Sequence, residues 1–239
     1  MRIEVWSDFV CPFCYIGKRR LEQSLEQLSA EQPIDIVYKS FELDPQAIKN
    51  TGQTIHEKLA AKYGKSLDEA KEMTANMTQQ AEEVGLDFQF DQMISTNTFD
   101  AHRLAKFAET KGFGKEVAER FFHAVFTEAK DVGDHTTLVE LASEIGLDKE
   151  EIRKVLASEE YSKEVRTEEA EAQEIGVQGV PFFVVNRKYA ISGAQPTEVF
   201  VQSLQKVLDE EKSTPAFESL SPEDNGASCT DDNCDVPEK

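Results

Sequence analysis

Residues 2–17 read RIEVWSDFVCPFCYIG, and the architecture of the chain turns on them. Residues 2–6 form a short buried strand by pattern, and SDFVCPFC follows as a turn. From Cys14 a helical pattern begins. Tyr15, Ile16, Leu21, Leu25 and Leu28 recur at three- and four-residue spacings. Pro12 fits the first turn, which has no intrahelical use for its N–H. Pro33 punctuates, and residues 34–41, IDIVYKSF, alternate as a second strand. Strand, cysteine turn, helix, strand is a βαβ opening.

Outward from that opening the pattern is helical from about Ile55 to Glu174. Thr98 is the expected cap of FDAHRLAKFAETKG, and Thr136 or Thr137 that of TLVELASEIG. GKEVAERFFHAVFTEAK carries Phe121, Phe122, Val125 and Phe126 on or near one face, expected as core. The acids Glu168, Glu169 and Glu171 are expected on a solvated helix face. The chain returns to strand in VPFFVVN and KYAISG, a hairpin, before a last helix from Pro196. The fold class expected is α/β. The opening and closing segments, 1–45 and 175–212, form one sheet domain, split by an all-helical insertion, 46–174. Residues 213–239 are poor in apolar residues and rich in Pro, Ser and acids, the composition of a mobile acidic tail.

Cys11-Pro12-Phe13-Cys14 carries the chemistry. A lone C-x-x-C also suits zinc. Placed after a strand and at the start of a helix, it has the redox context. There, unpaired N–H groups and the positive end of the helix dipole stabilise a thiolate. Cys11, nearer the helix end and expected to be more exposed, is the candidate nucleophile. Cys14, one turn in, resolves the mixed disulfide. Pro12 and Phe13 set the turn and supply an apolar contact beside the sulfur. Val180-Pro181 opens the third strand, where proline is permitted by ordinary strand rules.

The chain has 239 residues, enough for a real core without disulfide staples. Lys and Arg number 26 against 46 Asp and Glu, a formal charge of −20. That argues against nucleic acid, whose phosphates demand a basic footprint, and against anionic membranes. No apolar run approaches the ~20 residues of a membrane span. The opening MRIEVWSDFV has no signal-peptide h-region, so the expected location is cytoplasmic. Four cysteines in that compartment point to catalysis, redox sensing or metal rather than structural bridges. His56, His102, His123 and His135 are dispersed, without metal-ligand spacing. His102 and His123 are expected at surface or satisfied packing positions.

Three stretches together resemble the DsbA family of thiol–disulfide oxidoreductases, in its FrnE-like branch. They are WSDFVCPFCYIGKRRLE, STNTFDAHRLAKFA and GVQGVPFFVVNRKYAISGAQP, and the match runs over most of residues 1–210. The resemblance implies a thioredoxin-like fold interrupted by a helical domain, with Cys11 and Cys14 as redox-active centre. It implies Pro181 as a cis-proline, with Val180 beside it in substrate binding. Protein disulfides or thiols are the implied partners, exchanged by a monomer or homodimer without metal or bound cofactor. Related 2-hydroxychromene-2-carboxylate isomerases and kappa-class glutathione transferases typically carry serine at the nucleophile's position. They supply the alternative, a glutathione-dependent enzyme acting on a small aromatic substrate.

Two departures stand out. Thioredoxin-like enzymes often bury an acid six positions before the first cysteine; here Val5 stands there, and the proton acceptor for Cys14 is unassigned. Pro-Phe replaces the Pro-His of DsbA, which predicts a less oxidising pair. Cys229 and Cys234 form a C-x-x-x-x-C in the tail, and FrnE-like proteins include members with such a second pair. It has three readings: a second redox pair, a metal-binding or oxidant-sensing tail, or two solvated thiols. Asp231 and Asp232 should raise these thiols by like-charge repulsion and slow them at neutral pH.

Overall fold

The computed structural model describes residues 1–28, 33–49 and 52–213, together with the backbone of 228–230 and 233–235. The chain runs β1 (Arg2–Ser7), α1 (Pro12–Gln27), β2 (Asp35–Ser40), then seven helices. These are α2 (Ile55–Tyr63), α3 (Leu67–Glu82), α4 (Phe99–Thr110), α5 (Gly114–Phe126), α6 (His135–Glu144), α7 (Lys149–Leu156) and α8 (Ser162–Glu174). The hairpin β3 (Phe182–Val185) and β4 (Tyr189–Ser192) and the helix α9 (Thr197–Ser213) close the fold. The sheet order is β2-β1-β3-β4, with β1 parallel to β2 and antiparallel to β3. This is a thioredoxin-like sheet with a long helical segment between β2 and β3, as the resemblance implied.

Strand alternation distributes the core over two faces. Ile3 and Val5 of β1 point to one face, with Leu21 of α1 and Phe200, Leu204 and Val207 of α9. Trp6 points to the other, against Ala172 of α8 and Val177. Its indole N–H donates to the Glu168 carbonyl at 3.0 Å. Glu4 shares that second face and is buried, paired with Arg187 and lying 3.9 Å from Lys39. A buried carboxylate is tolerable only with such partners.

The third and largest cluster joins the cysteine turn to the helical segment. Phe9, Cys11, Cys14, Tyr15 and Ile16 pack with Phe88, Phe121, Phe122 and Phe126. The Tyr15 ring stacks on Phe122 at 5.2 Å and on Phe88 at 6.0 Å. The phenylalanine-rich face of α5 is core, as expected.

Some local expectations need correction. The N-cap of α6 is Asp134, whose carboxylate accepts the Thr137 N–H at 2.7 Å; neither Thr136 nor Thr137 caps it. Asp accepts this bond at least as well as Thr, and it stands one residue before the helix. Thr98 is the N-cap of α4 but makes no side-chain cap bond; Asn97 Oδ1 accepts the Phe99 N–H at 3.0 Å instead. The α8 acids are not a solvated face. Glu168 is buried against β2, accepting Lys106 Nζ at 2.8 Å and the Ser40 N–H at 2.7 Å. Glu169 and Glu171 pair with Arg166 and Arg187. The expected mobility of the acidic tail lies outside the described residues.

Candidate active site

The turn after β1 is closed by backbone bonds. The Cys11 N–H donates to the Asp8 carbonyl and the Cys14 N–H to the Cys11 carbonyl, each at 3.0 Å. Cys11 is the N-cap of α1, extended at φ −92° and ψ 112°, with Pro12 opening the helix and no acid in its first turn. The positive end of the dipole thus lies at Cys11 with no acid in the helix's own first turn, although the Cys11 side chain makes no cap hydrogen bond.

Both cysteines are free thiols and both are buried, Cys11 to 4% and Cys14 to 2% exposure. The expected contrast in exposure is thus almost absent, because Val180 and the helical segment cover the turn. What distinguishes the two is the side they present. Cys11 forms part of the wall of a cavity of about 310 Å³, with Pro12, Phe13 and Val180 beside it. Cys14 does not line that cavity. Burial pushes the Cys14 thiol well above the ordinary thiol range; the hydrogen bond to Cys11 and the nearby Asp8 charge add to this, and a bond from the Asp8 backbone opposes it. Cys14 is held as a thiol.

The Val180–Pro181 peptide is cis. The Cys11 thiol donates to the Val180 carbonyl at 3.6 Å. The loop is fixed from both sides. The Pro181 carbonyl accepts the Gly193 N–H at 2.9 Å. On the other side, a Cβ on Gly17 of α1 would stand 3.0 Å from Pro181 Cγ, so a larger residue there requires the loop to yield by a few tenths of an ångström.

The rest of the cavity is built by the helical segment and the stretch after β2: Leu43, Ile55, Leu59, Tyr63, Phe90 and Met93 give it apolar walls. Polar groups enter it too. Thr96 Oγ1 is buried without a hydrogen-bond partner. Asp8 lines the cavity although it is 1% exposed, and its Oδ2 accepts the Leu43 N–H at 2.7 Å.

The sequence missed His102. It belongs neither to the surface nor to a satisfied packing position. It is buried on α4, stacked on Phe9 at 4.8 Å, and its Nε2 lies 3.5 Å from Asp8 Oδ1 with no hydrogen-bond partner. The one available signal was its place in the STNTFDAHRLAKFA stretch. Arg103 and Asn97, from the same stretch, hold backbone: Arg103 bonds the Val155 carbonyl at 2.7 Å, and Asn97 the Pro45 carbonyl at 3.3 Å. His123 is half-exposed and pairs with Glu128.

Cys229 and Cys234 are not brought to this site by any described contact. Their backbones are directly opposite in a two-stranded antiparallel ladder, β5 (Ser228–Thr230) with β6 (Asn233–Asp235). Among the described residues, no group of three or more His, Cys, Asp or Glu could hold a metal ion. No helix there is long and apolar enough to cross a membrane.

Comparison with known proteins gives consistent likenesses. A family model described as DSBA-like thioredoxin domain matches residues 2–205. The crystal structure of a probable DsbA oxidoreductase from Streptomyces coelicolor is similar over 100% of both chains, with 39% identity and a TM-score of 0.84. The uncharacterized protein YwbO of Bacillus subtilis is 27% identical over 216 residues, which are 89% of this chain and 98% of YwbO. A 2-hydroxychromene-2-carboxylate isomerase shares the fold at 16% identity and a TM-score of 0.70, over 89% of this chain and 98% of its own.

Proposed function

This chain belongs to the DSBA-like thioredoxin domain family, and from that premise we propose that it exchanges disulfides with protein substrates through Cys11 and Cys14. The observation that carries the proposal is the juxtaposition of Cys11, at the start of α1, with the Val180 carbonyl 3.6 Å away beside a cis peptide. Cys11, as thiolate, attacks a substrate disulfide and forms a mixed disulfide, releasing the first substrate sulfur. Cys14 then attacks Cys11, releases the second substrate sulfur and leaves the Cys11–Cys14 disulfide. Val180 offers its backbone to an extended substrate segment in the manner of strand addition. Pro12 and Phe13 supply the apolar contact next to the reacting sulfur, and Pro181 holds the loop against it.

The finer assignments rest on the same reading. We assign the chain to the FrnE-like branch, in the cytoplasm, working as a monomer or homodimer without metal or bound cofactor, with glutathione as reductant or substrate. Cys229 and Cys234 are assigned as a second redox pair that exchanges with Cys11–Cys14. Their opposed backbone register supports this, since directly opposite strand residues are close enough to be bridged.

A redox titration tests the proposal. The protein is equilibrated in dithiol/disulfide buffers, thiols are trapped by alkylation, and the modified cysteines are located by mass spectrometry. A reversible two-electron transition at Cys11–Cys14 is expected, abolished by Cys11→Ser, with a midpoint below that of DsbA. Cysteines that stay unreactive until a chelator is added would overturn it. The apolar cavity beside Cys11 favours one second reading, a glutathione-dependent enzyme acting on a small aromatic molecule. Turnover of such a substrate that survives Cys14→Ser would favour that reading.

A further inference from the structure

We propose that Lys58, on helix α2 of the insertion, is a specificity residue: it receives a carboxylate that the substrate carries on a short apolar stem beside its reactive disulfide. The class it selects is protein disulfides flanked by a glutamate. The proposal rests on the dithiol exchange above and adds to it what the cavity beside Cys11 recognises.

Lys58 stands apart by its lack of a counterion. Among the described residues, every other lysine or arginine that is buried or half-buried pairs with a carboxylate, as Lys18, Arg103, Lys106 and Arg120 do. Lys58 is half-buried and pairs with none. Its Nζ donates to Ser95 Oγ at 2.5 Å, which engages one of the three ammonium donors. Glu57, its neighbour in the chain, is taken up by the capping box of α2, where it accepts the Thr54 N–H at 2.8 Å. A cation drawn partly out of water is stabilised by an anion brought against it, and here no side chain of the protein supplies one.

Its position ties that need to the reaction. Lys58 and Ser95 line the same cavity as Cys11. Ile55, Lys58, Leu59 and Lys62 turn one face of α2 to it, at three- and four-residue spacings. The helix is pinned from behind, where the buried His56 Nε2 lies 2.9 Å from Thr74 Oγ1 of α3. Leu43, Phe90, Met93 and Val180 make most of the remaining wall apolar. A charged group therefore enters best at the end of an apolar stem, and the two methylenes of a glutamate provide one. At about 310 Å³ the cavity has room for a side chain and its neighbours, not for a folded segment.

The other charges on the wall are already placed. Asp8 is buried, with Oδ2 on the Leu43 N–H at 2.7 Å, and Asp44 Oδ1 accepts the Gln46 N–H at 3.1 Å; neither pairs with Lys58. Lys62 is exposed one turn further on, 5.8 Å from the centre of the Tyr63 ring, and adds a solvated charge of the same sign. The chain as a whole carries −20, so its long-range field opposes an acidic substrate. At about 0.15 M salt that field is screened beyond about 8 Å. A preference for glutamate under those conditions therefore reports a local cation.

The test presents the full chain with cyclic peptides that share one disulfide and differ in a single residue beside it: Glu, Gln or Lys. Acid quench and mass spectrometry follow the mixed disulfide at Cys11 at about 0.15 M salt. The wild type is expected to favour the Glu peptide over the Gln peptide about tenfold in second-order rate constant, the lower end of what a close charge pair at an interface is worth. Lys58→Met should bring the Glu peptide to within about twofold of the Gln peptide, Lys58→Glu should put the Lys peptide first, and Lys58→Arg should keep the wild-type order. A role confined to holding Ser95 would slow all the peptides alike and leave their ratios unmoved, which would overturn the proposal. Equal rates for the Glu and Gln peptides in the wild type overturn it without any variant, and leave the dithiol reading intact. If no peptide forms a mixed disulfide at Cys11, both fall. Dithiodipropionate and its neutral diamide distinguish a free acid from a peptide: a Lys58-dependent preference found there and absent from the peptides would overturn the assignment to protein substrates.

Discussion

Replacing Glu119 with Gln removes the one carboxylate through which α5 grips α1. Glu119 accepts the Tyr15 hydroxyl at 2.7 Å and pairs with Lys18 and Arg19. Burial would raise this carboxyl, but the bonds from Lys18, Tyr15 and Arg19 prevail and hold it down to about 2. Against an ordinary glutamate value of about 4.3, at about 1.36 kcal/mol per pH unit, the gap corresponds to about 3 kcal/mol. Glu119 is 34% exposed, so solvent screening reduces the effective figure to roughly 1–1.5 kcal/mol. For a chain of this size that is a fall in Tm of about 2–6 °C at pH 7. The folded-state value lies below the unfolded one. The contribution is therefore complete above about pH 4.5 and is lost as pH falls through about 2. Thermal melts of wild type and Glu119→Gln, followed by Trp6 fluorescence from pH 7 down to pH 2.5, should show two curves converging in acid. Equal stability at pH 7, or a gap that stays constant into acid, would refute the reasoning.

Two further outcomes are expected. Gly17→Ala gains about 1 kcal/mol of helix propensity but sets a Cβ 3.0 Å from Pro181 Cγ and 3.2 Å from Phe183 Cζ. Overpacking of about 1–3 kcal/mol should prevail, lowering the denaturant midpoint and slowing exchange by moving the Val180–Pro181 loop; a more stable variant with unchanged exchange would contradict this. Asp134→Ala removes the cap bond to the Thr137 N–H and should cost about 1 kcal/mol in chemical denaturation, with no change in exchange rate at Cys11.

The sheet and the cysteine turn were legible because their signals are local. A strand pattern, a proline at the helix start and two cysteines one turn apart lie within 17 residues, and the apolar run after Pro181 marks the partner strand. What escaped depends on partners far away in the chain. Glu168 looks solvated within its acidic helix; its burial is set by Lys106, 62 positions earlier, and by the Ser40 amide, 128 positions earlier. His102 looks like a packing residue on an amphipathic helix until β1 brings Asp8 against it. The expected exposure of Cys11 followed from its place at a helix end, and it failed because a loop from the far end of the chain covers that end. Glu4 lies on the face of β1 away from Ile3 and Val5, as strand alternation requires.

The apolar cluster that contains Cys11 and Cys14 is the same one that holds the helical segment together. The cysteine pair and the helical segment are therefore buried in one continuous cluster. Within that cluster Tyr15, next to Cys14 in the chain, stacks on Phe122 and Phe88. Of the two sulfurs, Cys11 lines the cavity and Cys14 does not. The helical segment thus makes the burial of the cysteine pair a property of the whole molecule rather than of the turn that carries it.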